Sequence, residues 1–136
     1  MAFARINNNV HHYVSFGAKS KPALLFANSL GMDLRIWDDV TDRLNENFRV
    51  VRYDKRGHGL SDAPPSPYSI NDLAQDVAGV LDALEIEQAV LCGVSVGGLI
   101  AQAFALNYPK RVRALVLVRY RGADRLHRIL AATYRT

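Results

Sequence analysis

The stretch Leu91-Cys92-Gly93-Val94-Ser95-Val96-Gly97-Gly98-Leu99-Ile100-Ala101 limits what this chain can become more than any other. Apolar residues at strand length run into a glycine-flanked serine, and helix-forming residues come directly after it. Glycine at 93 and 97 lets the backbone turn sharply and leaves room beside the hydroxyl. A strand entering a helix through so short a turn is a unit of parallel α/β architecture, and it lifts Ser95 to the carboxyl edge of a sheet, over a helix N-terminus.

The rest of the chain agrees with that architecture. Residues 3–6 and 10–16 flank Asn7-Asn8-Asn9 and read as a hairpin. After Pro22, Ala23-Leu24-Leu25-Phe26-Ala27 is apolar without alternation, as expected of a strand covered on both faces. Leu34, Trp37, Val40 and Leu44 recur at helical spacing and predict one amphipathic helix over 33–47. Next come a strand over 48–53 and a Gly- and Pro-rich loop over 54–67. Ser69 stands as cap to a helix with its apolar stripe at Leu73, Val77, Val80, Leu81 and Leu84. Strand 89–93, helix 96–107 stopped before Pro109, and strand 112–118 complete a doubly wound, mostly parallel sheet with right-handed crossovers.

Composition removes several classes of function. The net charge of +4 lies wholly in residues 119–136, where five arginines face one aspartate, so the first 118 residues are neutral. With five arginines, no lysine and no aromatic stacking platform, that tail is a poor nucleic-acid surface. No apolar run reaches membrane-spanning length and the N-terminus lacks a signal-peptide core, so the expected setting is cytoplasmic. The single Cys92 excludes an internal disulfide and reads as a buried strand thiol.

Gly93-Val94-Ser95-Val96-Gly97 fits the G-x-S-x-G pattern of a nucleophilic serine. A serine in that role needs donors for a developing oxyanion. The first would be the Val96 backbone N–H; the second would come from the loop Asn28-Ser29-Leu30-Gly31, with the Leu30 N–H favoured and Ser29 as the alternative. His58, between glycines, precedes the serine on a loop, and is a poor candidate for its base. Asp54, Arg56 and Ser61 are expected to tie that loop down, and His11 and His12 to be structural, one facing solvent and one the sheet. No metal-ligand spacing is present.

With those residues in place, the chain resembles the α/β-hydrolase superfamily, and within it the 3-oxoadipate enol-lactonases. The likeness is carried by "FANSLG" at 26–31, Trp37, "RYDKRGHGLSDAP" at 52–64, "YSINDLAQDV" at 68–77 and "GVSVGGLIAQAFALNYPKRVRALVL" at 93–117. It implies a cofactor-independent serine hydrolase that opens an enol-lactone to 3-oxoadipate in aromatic-compound catabolism. An esterase, C–C hydrolase or perhydrolase is the alternative within the superfamily. It further implies a partial fold without a cap domain, residues 1–118 being the N-terminal part of the hydrolase core and 119–136 a basic tail foreign to the family. Relatives are about twice as long and carry their acid and histidine beyond the shared region. Asp124 and His127 come after Ser95 in triad order, but a triad needs the acid on one imidazole nitrogen and the serine on the other, usually with acid and base on separate loops, and these two stand only three residues apart. The acid and base are therefore expected to be absent, and the tail to reflect a shifted reading frame. Strand 112–118, left at an apolar edge, is expected to favour self-association.

Overall fold

A computed structural model describes residues 2–118 together with the backbone of a two-residue strand, Tyr134–Arg135. Seven strands form one sheet: β1 (Ala2–Ile6), β2 (Asn9–Phe16), β3 (Ala23–Ala27), β4 (Arg49–Tyr53), β5 (Ala89–Val94), β6 (Val112–Val118) and β7 (Tyr134–Arg135). Their spatial order is β1-β2-β4-β3-β5-β6-β7. The central four, β4, β3, β5 and β6, run parallel, and β1 and β2 add antiparallel at one side.

The hairpin turns at Asn7 and Asn8, with φ of 50° and 68°. Two successive left-handed residues give a turn whose twist matches that of the strands, and asparagine tolerates this better than most residues. In β3 the unbroken apolar run is explained by burial on both faces. Ala23, Leu25 and Ala27 join a large core with α2 (Ile70–Ala83) and α3 (Val96–Asn107), while Leu24 and Phe26 face a smaller one with Trp37, Val50, Cys92 and Val94.

The predicted helix over 33–47 is instead two pieces. A single 3₁₀ turn, Leu34–Trp37, is capped by Asp33 and passes into α1 (Asp38–Leu44). The tighter winding of that turn rotates the phase of α1. Thr41 therefore turns inward, its hydroxyl donating to the Trp37 carbonyl at 2.8 Å, and Val40 is left exposed. The expected apolar edge is also partly covered, because β7 pairs antiparallel with β6 at Ala114 and Leu115.

From β3 the chain crosses to β4 on one side, and from β4 it returns past β3 to β5 on the other. The loops leaving β3 and β5 therefore diverge from neighbouring strands, and a parallel sheet offers its crevice at the carboxyl end of such a reversal. Ser95 and residues 28–33 lie there.

Candidate active site

Ser95 occupies the junction of β5 and α3 with φ 56° and ψ −120°, a conformation that side-chain-bearing residues rarely adopt. Its carbonyl accepts the first helical bond from Gly98 N–H at 2.9 Å, but its side chain caps nothing. A helix-opening serine ordinarily uses its hydroxyl as the cap. Here the twisted backbone keeps Oγ out of that role.

The two flanking glycines are required by contact. A Cβ on Gly93 would lie 2.2 Å from the Gly97 carbonyl oxygen, and one on Gly97 would lie 2.1 Å from the Ala27 carbonyl oxygen and 2.9 Å from that of Asn28. The first contact lets helix and strand close around the turn. The second presses the start of α3 against the loop that leaves β3, which brings residues 28–31 beside the elbow.

That loop is held from several directions. Asn28 is fully buried, donating from Nδ2 to the Tyr53 carbonyl at 3.0 Å and accepting the Trp37 indole N–H at 2.6 Å. Trp37 in turn stacks on Phe26, ring centroids 4.4 Å apart. Residues 29–32 form a tight turn closed by Met32 N–H donating to the Ser29 carbonyl at 3.3 Å, with Gly31 at φ 75°. Among the described residues neither the Leu30 N–H nor the Val96 N–H meets a protein acceptor. The Leu30 side chain is largely exposed.

The loop at 54–67 locks in place much as its composition suggests. Asp54 is buried, its Oδ1 accepting from Leu34 N–H at 2.8 Å and its Oδ2 from Leu60 N–H at 3.0 Å. Ser61 Oγ donates to the Asp54 carbonyl at 2.6 Å. Arg56 reaches out of the loop, binding Asp76 on α2 through Nε at 2.6 Å and Nη2 at 2.8 Å.

His11 and His12 correct the expectation that one faces solvent, since both are buried. His11 Nε2 lies 3.3 Å from Asp76 Oδ2, and His12 Nδ1 lies 2.8 Å from Asp54 Oδ2. Neighbouring residues of a strand point to opposite faces, and here each face supplies a buried carboxylate. His58 is also committed, because its Nε2 accepts the Gly31 N–H at 2.9 Å. Asp124 and His127 lie outside the described residues.

Two features carry no signal in the sequence. Lys55 is almost fully buried, and its Nζ donates to the Ser29 carbonyl at 2.8 Å. Burial pushes its ammonium down to about 8, although the charge of Asp54 pulls the other way. A lysine between Asp54 and Arg56 has no local mark of burial, so only the fold reveals it. The second is a cleft of about 440 Å³ lined by His12, Leu34, Asp54 and Leu60, among others. Leu30, Ser95 and Val96 are not among its lining residues. Cys92, as expected, is buried, and burial pushes its thiol up to about 11. Among the described residues no three His, Cys, Asp or Glu side chains converge on a point that could hold a metal, and no helix is long and apolar enough to cross a membrane.

A strained serine between a central strand and a helix, beside the loop of the neighbouring strand, is the arrangement of a nucleophile elbow, and residues 22–122 match the family described as alpha/beta hydrolase fold. The chain belongs to that family. It is 42% identical over 106 residues to 3-oxoadipate enol-lactonase 2 of Acinetobacter baylyi, covering 78% of this chain and 40% of the relative. It is 35% identical over 99 residues to 2-(acetamidomethylene)succinate hydrolase of Mesorhizobium japonicum, covering 73% of this chain and 36% of that protein. The crystal structure of the enol-lactonase from Burkholderia xenovorans superposes with a TM-score of 0.80 at 41% identity, across 82% of this chain and 44% of the other. The chain thus spans about two fifths of the length of the curated relatives it matches.

Proposed function

We propose that this chain carries the nucleophile and oxyanion hole of a serine hydrolase acting on a small lactone or ester, of the 3-oxoadipate enol-lactonase type. The observation that carries the reading is Ser95 itself, held at φ 56° with a hydroxyl that does no capping. Ser95 Oγ would attack the carbonyl carbon, and the oxygen, as it gains charge, would receive the N–H groups of Val96 and Leu30. Such pre-set donors contribute strongly because they need no reorganisation as charge develops. The positive end of α3 adds to them.

The Ser95 proton also needs a base. Among the described residues His11, His12 and His58 are each engaged elsewhere, so none of these three is placed to take that proton. Loss of triad members leaves residual catalysis of roughly 10³–10⁴ over water in related machinery. The test is p-nitrophenyl acetate and enol-lactone hydrolysis by the chain and by Ser95→Ala. Slow, Ser95-dependent release is the expected result, and identical rates for the two proteins would remove Ser95 from the reaction. The lactone is favoured over other esters by the 42% and 41% identities to enol-lactonases, while a relative acting on another substrate, at 35%, keeps an esterase or C–C hydrolase as the alternative.

A second reading, a non-catalytic chain that associates with itself, is favoured by the edge of β6. There β7 covers only Ala114 and Leu115, and Val116 and Val118 are each 41% exposed. Size-exclusion chromatography beside the assay separates the two: a monomer with Ser95-dependent turnover excludes association, and an inactive oligomer excludes catalysis.

A further inference from the structure

The loop proposed to supply the second oxyanion donor is gripped at two successive peptide groups, and both grips come from the loop after β4. The Ser29 carbonyl and the Leu30 N–H belong to one planar peptide unit, so whatever fixes the oxygen also aims the hydrogen. Lys55 Nζ donates to that oxygen at 2.8 Å from an almost fully buried side chain. The next unit joins Leu30 to Gly31, and its N–H donates to His58 Nε2 at 2.9 Å. His58 Nδ1 stands 3.1 Å from the Arg56 carbonyl, so the ring donates there and keeps Nε2 as acceptor. In a turn closed from Met32 to Ser29 with Gly31 at φ 75°, the middle peptide is the one that flips between turn types.

We propose that Lys55 and His58 are positioning residues for the hydrolytic reaction, clamping the peptide groups on either side of Leu30 so that its N–H stays aimed at the oxyanion beside Ser95. The proposal rests on the reading of Leu30 as an oxyanion donor. Lys55 acts in a second way, since a cation on the carbonyl oxygen draws electron density through the peptide and makes the N–H a stronger donor. His58, a poor candidate for the base, acquires a use that needs no proton transfer.

Phenylboronic acid tests this without requiring turnover. Its boron accepts Ser95 Oγ, the hydroxyl proton passes to solvent, and the resulting tetrahedral anion places an oxygen where the oxyanion would sit. Affinity, thermal unfolding and the backbone amide spectrum are measured on the full chain and on Ser95→Ala, Lys55→Met, Lys55→Arg and His58→Gln. The expected result is a Ser95-dependent adduct that shifts the Leu30 amide resonance. Lys55→Met weakens it by about tenfold or more, Lys55→Arg recovers part of the loss, and His58→Gln, which retains an acceptor oxygen, loses less. Variants that stay folded and bind like wild type would overturn the clamp and leave Lys55 a purely structural residue. An adduct that leaves the Leu30 resonance unmoved would overturn the donor assignment instead, and no Ser95-dependent adduct at all would overturn the nucleophile. Should Lys55→Met fail to fold, the wild-type Leu30 resonance and the more exposed His58 site still decide the matter.

Discussion

At the scale of single residues, the elbow stores strain where chemistry is proposed. A side-chain-bearing residue held at φ 56°, ψ −120° costs on the order of 1–3 kcal/mol, which the surrounding packing must offset. Glycine would not incur that penalty, so Ser95→Gly is expected to raise stability by about 1 kcal/mol while Ser95→Ala, which keeps its Cβ, does not. Urea denaturation midpoints of the two variants check this; equal midpoints would show that the strain is relieved elsewhere. Gly97 predicts the opposite sign. Its Cβ would stand 2.1 Å from a backbone carbonyl oxygen that belongs to a central strand, not to a flexible side chain that could swing away. Gly97→Ala is therefore expected to destabilise by roughly 3 kcal/mol and to spread α3 from the loop after β3, seen as loss of boronate binding before loss of fold.

At the scale of elements, the legible features are the locally determined ones. Ser69 caps α2 as its position suggests, accepting from Asp72 N–H at 3.0 Å while the Asp72 carboxylate accepts from Ser69 N–H at 2.9 Å. The bond from Ser69 N–H, with the Ser69 side chain adding to it, holds the Asp72 carboxyl below the usual carboxylate range. Ser69→Ala should cost about 1 kcal/mol, measured as a lower thermal midpoint with the far-UV helical signal intact below the transition. The break at residues 34–38 is not legible, because Leu34, Trp37, Val40 and Leu44 satisfy an α-helical period on paper. The deciding group is Asp54, whose Oδ1 takes the Leu34 N–H from across the molecule, together with Asp33, whose side chain caps the turn at Arg35 N–H. A bond between residues 20 apart in sequence leaves no mark on local periodicity.

At the scale of the whole molecule the same division separates the serine from its surroundings. Ser95 is legible because strand, glycines and helix are contiguous, whereas the roles of Lys55, His58 and the two strand histidines depend on partners 26, 27, 42 and 65 positions away. Asp76 shows how far such ties reach. Wholly buried on α2, it holds Arg56 of the loop after β4, His11 of β2 and, at 3.0 Å, the Asn7 amide of the hairpin turn. Burial alone pushes its carboxyl up, but the close approach of His11 and the hydrogen bonds from Arg56 and Asn7 together outweigh that and hold it at about 2, against an ordinary value of 3.8. A carboxyl lowered in the folded state contributes stability that is complete above the ordinary value and is lost as pH falls from there through about 2. The shift corresponds to roughly 2 kcal/mol, lost between about pH 4 and pH 2. Asp76→Asn keeps the size of the side chain but leaves the Arg56 guanidinium without its counter-charge, so it should cost on the order of 3 kcal/mol at neutral pH. It should also flatten the acid limb of the stability profile. Thermal midpoints of both proteins between pH 2 and pH 7 test this, and parallel acid limbs would assign the loss to other carboxylates. Hydrogen exchange at the β1–β2 turn separates a local tie from a global one: if Asp76 joins hairpin, loop and helix into one cooperative unit, the turn amides exchange together with those of α2 in the wild type and ahead of them in the variant.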